Sequence, residues 1–295
     1  MKRLLAFLFL LVAVLNPVYA GSVHIVLSEE SHSNRHAADA VKSALHSQGI
    51  DDIGLIATAD QFSANRLADD DLLVSIGEAA AQHISQRYAN ISQLYSYIDS
   101  TSLPVKPATH WAALVLDQPV QQLFDTAKSI LNQRLGKEII LAVSTNNLVM
   151  QEQINNLNVG NDAELKVLLI DESIEPAKVI DKALFNAGAL IAIRDKRVWA
   201  GENAKWMLYQ SYKYKVPVIG YSKSFLKAGA LVSVYSDLND TADETANLIA
   251  QWYNNKRKLK EEGIHYPTST VEYNKNIARA LNITIPQSEL KNVRD

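Results

Sequence analysis

The sequence predicts an α/β fold built from two doubly wound sheets. Three observations carry this: short apolar runs rich in Val, Ile and Leu, helix-period segments that follow most of them, and two successive series of such units within 295 residues. Strands buried on both faces read as near-continuous apolar runs, and helices between them imply parallel pairing.

The first series opens with VHIVLS (23–28), a polar loop EESHSNR, and a helix from about His36 to Ser47 that stops at Gly49. An apolar strand, a loop and a helix in this order form one βα unit. It continues through IGLIAT (53–58), LLVSIG (72–77) with the helix EAAAQHISQRY, QLYSYI (93–98), and ALVL (113–116). A helix is then expected after Asp117, with Pro119 in its first turn, where the lost N–H costs no hydrogen bond.

The second series runs through EIILAVS (138–144), LKVLLI (165–170), a helix near 175–186, ALIAI (189–193), a helix near 202–214, and VPVIGYS (216–222). Beyond it come LVSVYS (231–236), a helix near 241–255, the charged stretch NNKRKLKEEG (254–263), STVEY (269–273) and a last helix near 274–281. The charge run carries both signs and reads as a solvated helix end and loop.

The segment MKRLLAFLFLLVAVLNPVYA places Lys2 and Arg3 before an apolar run from Leu4 to Leu15, with Val18 and Ala20 as small residues one apart. That is the pattern of a secretory signal peptide cleaved after Ala20, and the run falls short of the ~20 apolar residues a membrane span needs. The expectation is an exported, periplasmic chain that is not membrane-embedded.

Composition closes several function classes. A formal charge of −3 supplies no basic field for nucleic acid. The absence of cysteine removes disulfides, thiolate metal sites and thiol nucleophiles. No G-x-G-x-x-G follows the first strand, and no P-loop, G-x-S-x-G or H-E-x-x-H motif occurs. His32 and His36 stand four apart without a third ligand, and Asp69, Asp70 and Asp71 lack the spaced oxygens of a calcium loop. No metal, cofactor or catalytic set is therefore expected. The segment YQSYKYK (209–215) reads as a packed amphipathic helix from the period of Trp206, Tyr209 and Lys213, rather than as a base-stacking surface.

Ligands of open parallel sheets bind beyond the carboxyl ends of the strands. Small polar and charged residues mark those ends here. They are Ser28 with Glu29 to Ser31 after the first strand, Ser75 to Glu78 at the third, Asp99 to Thr101 after the fourth, Ser144 to Asn147, Arg194 to Lys196, and Ser222. Within these stretches the residues picked for a ligand are Ser28, Ser31, Gly77, Glu78, Asp99, Ser100, Thr101, Ser144, Asn146, Arg194, Asp195 and Ser222. Their hydroxyls and amides offer directional hydrogen bonds, and Asp99, Arg194 and Asp195 offer charges for an amine or a carboxylate. Any one of them could equally cap the next helix.

The stretch VPVIGYSKSFLKAGALVSVYS (216–236), preceded by Asp195 and Val198 in IRDKRVWAGENAKWML and followed by VEYNKNIARALNITIP (271–286), resembles the periplasmic substrate-binding proteins of ABC transporters whose better-known members bind aromatic amino acids. ALVLDQPVQQLFDTAKSIL (113–131) looks like the LDQP-containing variant of a proteobacterial branch. The family's usual Thr-Asp-Pro after the fourth strand stands here as Ile98-Asp99-Ser100.

The resemblance implies a type I periplasmic-binding fold of two Rossmann-like lobes joined by three hinge crossings, near Leu116–Gln118, Tyr235–Asp237 and Pro267–Thr270. Lobe one would comprise 21–116 with 237–266, and lobe two 117–236 with 267–295. It implies a monomeric, non-enzymatic protein that captures a small molecule, an amino acid or a similar polar or aromatic solute, for an inner-membrane ABC permease. The alternative is a periplasmic sensor or accessory protein with the same clamshell, docking onto a receptor kinase or an outer-membrane uptake system; fold alone does not choose between them.

Overall fold

The computed structural model describes residues 21–63, 67–131, 138–161, 163–285 and 293–294. The proposed leader, residues 1–20, lies outside the described residues. The strands are β1 (Val23–Leu27), β2 (Ile53–Thr58), β3 (Leu72–Ile76), β4 (Ser92–Ile98), β5 (Trp111–Val115), β6 (Glu138–Ser144), β7 (Leu165–Ile170), β8 (Ala187–Ile191), β9 (Val218–Gly220), β10 (Val232–Tyr235), β11 (Gly263–His265), β12 (Thr270–Asn274) and β13 (Val293–Arg294). The helices are α1 (His32–Ser47), α2 (Glu78–Arg87), α3 (Val120–Leu131), α4 (Leu148–Asn155), α5 (Pro176–Leu184), α6 (Lys196–Trp199), α7 (Gly201–Lys213), α8 (Lys223–Ala228), α9 (Leu238–Asn254) and α10 (Lys275–Leu281).

They form two lobes, each a sheet flanked by helices. The first sheet has the order β11-β5-β4-β3-β1-β2, with every pairing parallel. One face packs Val41 and Leu45 of α1 and Ile249 and Trp252 of α9 against Ile25 and Val74, and the other packs Ala80, Ala81 and Ile84 of α2 with Phe62 against Val26 and Leu73. Burial on both faces explains why β3 is apolar at four of its five positions.

The second sheet has the order β13-β12-β10-β9-β8-β6-β7. Its core joins Leu123, Phe124 and Ala127 of α3 and Ile180 and Leu184 of α5 to Ile140, Ala142 and Leu190. Among the described residues the antiparallel pairing is that of β12 with β10, with Tyr235 opposite Thr270, and β13 runs parallel to β12. The cause is the path of the chain. It leaves β11 at the carboxyl edge of the first sheet, enters the second sheet at the same kind of edge, and can only run away from it.

Four local differences from the sequence reading have physical causes. Helix α1 begins at His32, because Ser31 caps it through Asn34 N and its first turn is polar and exposed. Helices α4 and α8 and strand β11 are short elements without a full apolar period, so no pattern announced them. On α7 the buried stripe is Met207, Leu208 and Ser211, while Tyr209 and Tyr212 face outward and Lys213 Nζ lies 5.5 Å from the Tyr209 ring. Arg257, within the charge run, is not solvated: its guanidinium lies 3.4 Å from the Tyr253 ring centroid and 4.9 Å from that of Trp252.

Candidate functional site

The chain passes between the two sheets after β5, after β10 and after β11, each time at the carboxyl end of a strand. Loops at the carboxyl ends of both sheets are thereby turned toward one another. The side chains that meet there come from four strand ends.

Tyr97 sets the first of them. It adopts a φ of +54, and the β4–β5 register shifts between Ser96 and Ile98. This bulge re-aims the chain as bulges do, and the strained backbone is braced by the Tyr97 hydroxyl, which donates to Leu238 O at 2.9 Å. Asp99 follows, then a 3-10 turn over Ser100–Ser102. From the second sheet, β8 delivers Arg194 and, at the first position of α6, Lys196.

Arg194 Nη1 donates to Asp99 Oδ1 at 3.2 Å, and its Nε donates to Leu116 O at 3.1 Å. Lys196 Nζ donates to Glu78 Oε2 at 3.2 Å and to Ser102 Oγ at 3.1 Å, and stands 3.7 Å from Asp99 Oδ2. Ser102 Oγ in turn donates to Glu78 Oε2 at 2.9 Å. Two carboxylates of the first lobe thus face two cations of the second. The Arg194 guanidinium also lies 5.2 Å from the Tyr221 ring centroid, within cation–π range.

Burial raises the Glu78 carboxyl, but the Ser102 hydroxyl and Lys196 outweigh it and hold the group below its usual value. Burial raises the Tyr221 hydroxyl, with Arg194 opposing. Beneath the pairs lies Asp117, 1 % exposed, whose Oδ2 accepts from Ser100 N at 2.5 Å while Oδ1 has no hydrogen-bond partner among the described residues.

Of the residues singled out in the sequence, Glu78, Asp99 and Arg194 converge. Ser100 is buried and gives its N–H to Asp117, and Thr101 is exposed beside it. Several others are occupied by the protein itself. Ser31 and Ser222 cap α1 and α8. Ser28 Oγ accepts from Ala80 N at 3.1 Å in the first turn of α2, and Gly77, with φ +89, leaves room for that contact.

Ser144 donates through its N–H and hydroxyl to Asp195 Oδ2, at 2.9 and 2.8 Å, and Asn146 donates to Glu172. Asp195 also takes Asn147 Nδ2 and the N–H groups of Arg197 and Val198 and is 3 % exposed, so it caps α6 and fastens it to β6 rather than presenting a free carboxylate. Lys196, which closes the strand-end stretch Arg194 to Lys196 marked in the sequence, converges with Glu78, Asp99 and Arg194. Ser102 and Tyr221 were not singled out; Tyr221 directly precedes a chosen residue, and proximity to a strand end was the signal available.

The three passages are cross-linked. Gln118 Nε2 donates to Ser236 Oγ at 2.9 Å, and Ser236 Oγ donates to Thr268 O at 2.9 Å, which joins the first, second and third passages in one line. Gln153 of α4 adds a second tie, accepting from Val120 N at 3.1 Å and donating to Tyr266 Oη at 2.8 Å.

Among the described residues no group of three or more His, Asp or Glu side chains could hold a metal, and no helix is long and apolar enough to cross a membrane. The His32 and His36 rings instead stack on each other at 6.3 Å.

No protein-family model matches the chain, and no curated protein sequence matches it. Solved structures do. A substrate-binding protein with adhesive properties from Clostridium difficile, in its ligand-free, open form, has a TM-score of 0.68 at 17% identity, covering 92% of this chain and 98% of its own. A conserved domain protein from Vibrio cholerae O1 biovar El Tor has a TM-score of 0.62 at 19% identity, covering 93% of this chain and 98% of its own. The ABC domain from Streptococcus pneumonia in complex with L-Trp has a TM-score of 0.61 at 19% identity, covering 92% and 99%. At these identities the likeness establishes the fold: two α/β lobes of the periplasmic-binding-protein type.

Proposed function

We propose that this chain is a periplasmic solute-binding protein that captures an amino acid or a similar polar or aromatic solute between its lobes and presents it to an inner-membrane ABC permease. Lobe one comprises 21–116 with 237–266, lobe two 117–236 with 267–295, and the three passages are the hinge. The observation that carries the reading is the facing of Asp99 and Glu78 from one lobe against Arg194 and Lys196 from the other. A solute carboxylate takes the two cations and its ammonium takes the two carboxylates, so every charge stays paired while the lobes part by the width of the solute. Tyr221, already under the Arg194 guanidinium, offers a ring face to an aromatic side chain. The L-Trp held by the pneumococcal neighbour supports this solute class.

Closure exchanges water for contacts to both lobes, and only that differential affinity shifts the open–closed equilibrium. A thermal-shift screen of the protein against amino acids, nucleosides and sugars tests the reading, since any binder of the native state raises the midpoint with concentration. An amino acid should emerge, and Arg194→Ala should weaken it by about 10- to 100-fold in calorimetry, the range of a lost charge-assisted hydrogen bond. A screen without an amino-acid response, or unchanged affinity in Arg194→Ala, sinks it.

A further inference from the structure

The amino-terminal end of β1 lies at the edge of the first sheet opposite the cleft, and solute capture does not account for its chemistry. The Gly21 nitrogen stands 3.1 Å from Asp70 Oδ2, and the next nitrogen, that of Ser22, donates to Asp71 Oδ1 at 2.8 Å. Two consecutive backbone nitrogens therefore meet two consecutive carboxylates from the turn before β3. Gly21 is buried, and a Cβ there would come within 1.8 Å of the Asp70 carbonyl oxygen, so glycine alone fits.

Among the described residues, charges of both signs surround the pair. Ser22 Oγ donates to Asp52 at 3.2 Å, and Asp71 also accepts from Ala68 N and faces His24 Nε2 at 3.4 Å. Among the described residues Arg257 stands 3.9 Å from Asp52, and Lys256, Arg257 and Lys258 line an adjoining cavity together with Asp69 and Asp70. A peptide N–H meets the Asp70 carboxylate without a charge of its own. An ammonium brings a full charge and additional donors to the same point.

We propose that Asp70, with Asp71 beside it, is a receptor for the α-ammonium group created when a signal-peptidase-class protease cuts the chain between Ala20 and Gly21. Water is the co-reactant. The C–N bond breaks, hydroxide adds to the Ala20 carbonyl carbon and hydrogen to the Gly21 nitrogen, and after proton exchange with solvent the products are an Ala20 carboxylate and a Gly21 ammonium. Cleavage then turns the neutral donor to the Asp70 carboxylate into a charged one, an ion pair at the root of β1, between β3 and β2, so that maturation itself tightens the first lobe. The inference does not depend on the solute or on transport.

The chain recovered from the periplasm is the sample, compared with a chain that retains Ala20 as its first residue. The exported chain should begin Gly-Ser-Val. Labelling of Gly21 by an amine-acylating reagent, read by mass spectrometry across pH, should titrate above the about 7.7–8.0 of a free α-amine and return to that range in Asp70→Asn. A raised amine pKa stabilises the fold below the ordinary value and ceases to do so as pH rises through the raised one. The exported chain should therefore melt about 2–4 °C above the Ala20-retaining chain near about pH 7, with the difference gone by about pH 10.

A first residue other than Gly21, an amine that titrates in the free range, or equal midpoints near neutrality each overturn the proposal. Should Asp70→Asn fail to fold, the comparison of the two unmutated chains decides alone.

Discussion

Burial of Asp117 pushes its carboxyl up to about 6; the Ser100 amide opposes the rise, Asp99 adds to it and Arg194 opposes it. A carboxyl raised in the folded state favours folding most when protonated. Its contribution is fully present below the ordinary value of 3.8 and is lost as pH climbs through about 6. Above that the charged group costs on the order of 3 kcal/mol. Asp117→Asn keeps an acceptor for Ser100 N and removes the charge. Urea unfolding should show it more stable than the parent by about 1–3 kcal/mol near about pH 7.5 and nearly equal near about pH 4; a gain that does not vary with pH would assign the effect to something other than this carboxyl. At this scale the sequence was only partly readable. Ser31 and Ser222 look the same in sequence as ligand contacts and as helix caps, because both tasks use a hydroxyl at a strand end, and only the position of the next backbone N–H decides.

The junction of β3 and α2 shows how an element boundary is held. Gly77 turns at φ +89, and a Cβ there would stand 2.7 Å from Ser28 Oγ, the atom that accepts from Ala80 N. Gly77→Ala meets both strain and a clash, and should lower stability by about 1–3 kcal/mol in denaturant unfolding. Adding Ser28→Ala should recover part of that loss, since the hydroxyl is what the methyl strikes; strictly additive losses would show that φ alone matters. Strands with long apolar runs, such as β3 and β6, were legible because burial on both faces leaves polar residues little place. Strand β11 was not: three half-buried residues after a charge run hold their place by pairing with β5, a long-range cause that no local window contains.

Across the whole molecule, the lobes are drawn together at the cleft by pairs whose members remain partly exposed, Arg194 with Asp99 and Lys196 with Glu78. Such pairs are individually weak and salt-sensitive. Replacing Arg194 and Lys196 together with Ala should enlarge the radius of gyration in small-angle scattering, and about 1 M salt should move the parent toward the same value. Identical profiles for parent and variant would place the lobes' approach under the control of the passages alone. Those passages are not independent threads. Because Gln118, Ser236 and Thr268 share one unbroken relay, the molecule has something closer to an axle than to three straps: exchange rates recorded at any one of these residues report a single swing, and wear at one bearing is felt at the other two.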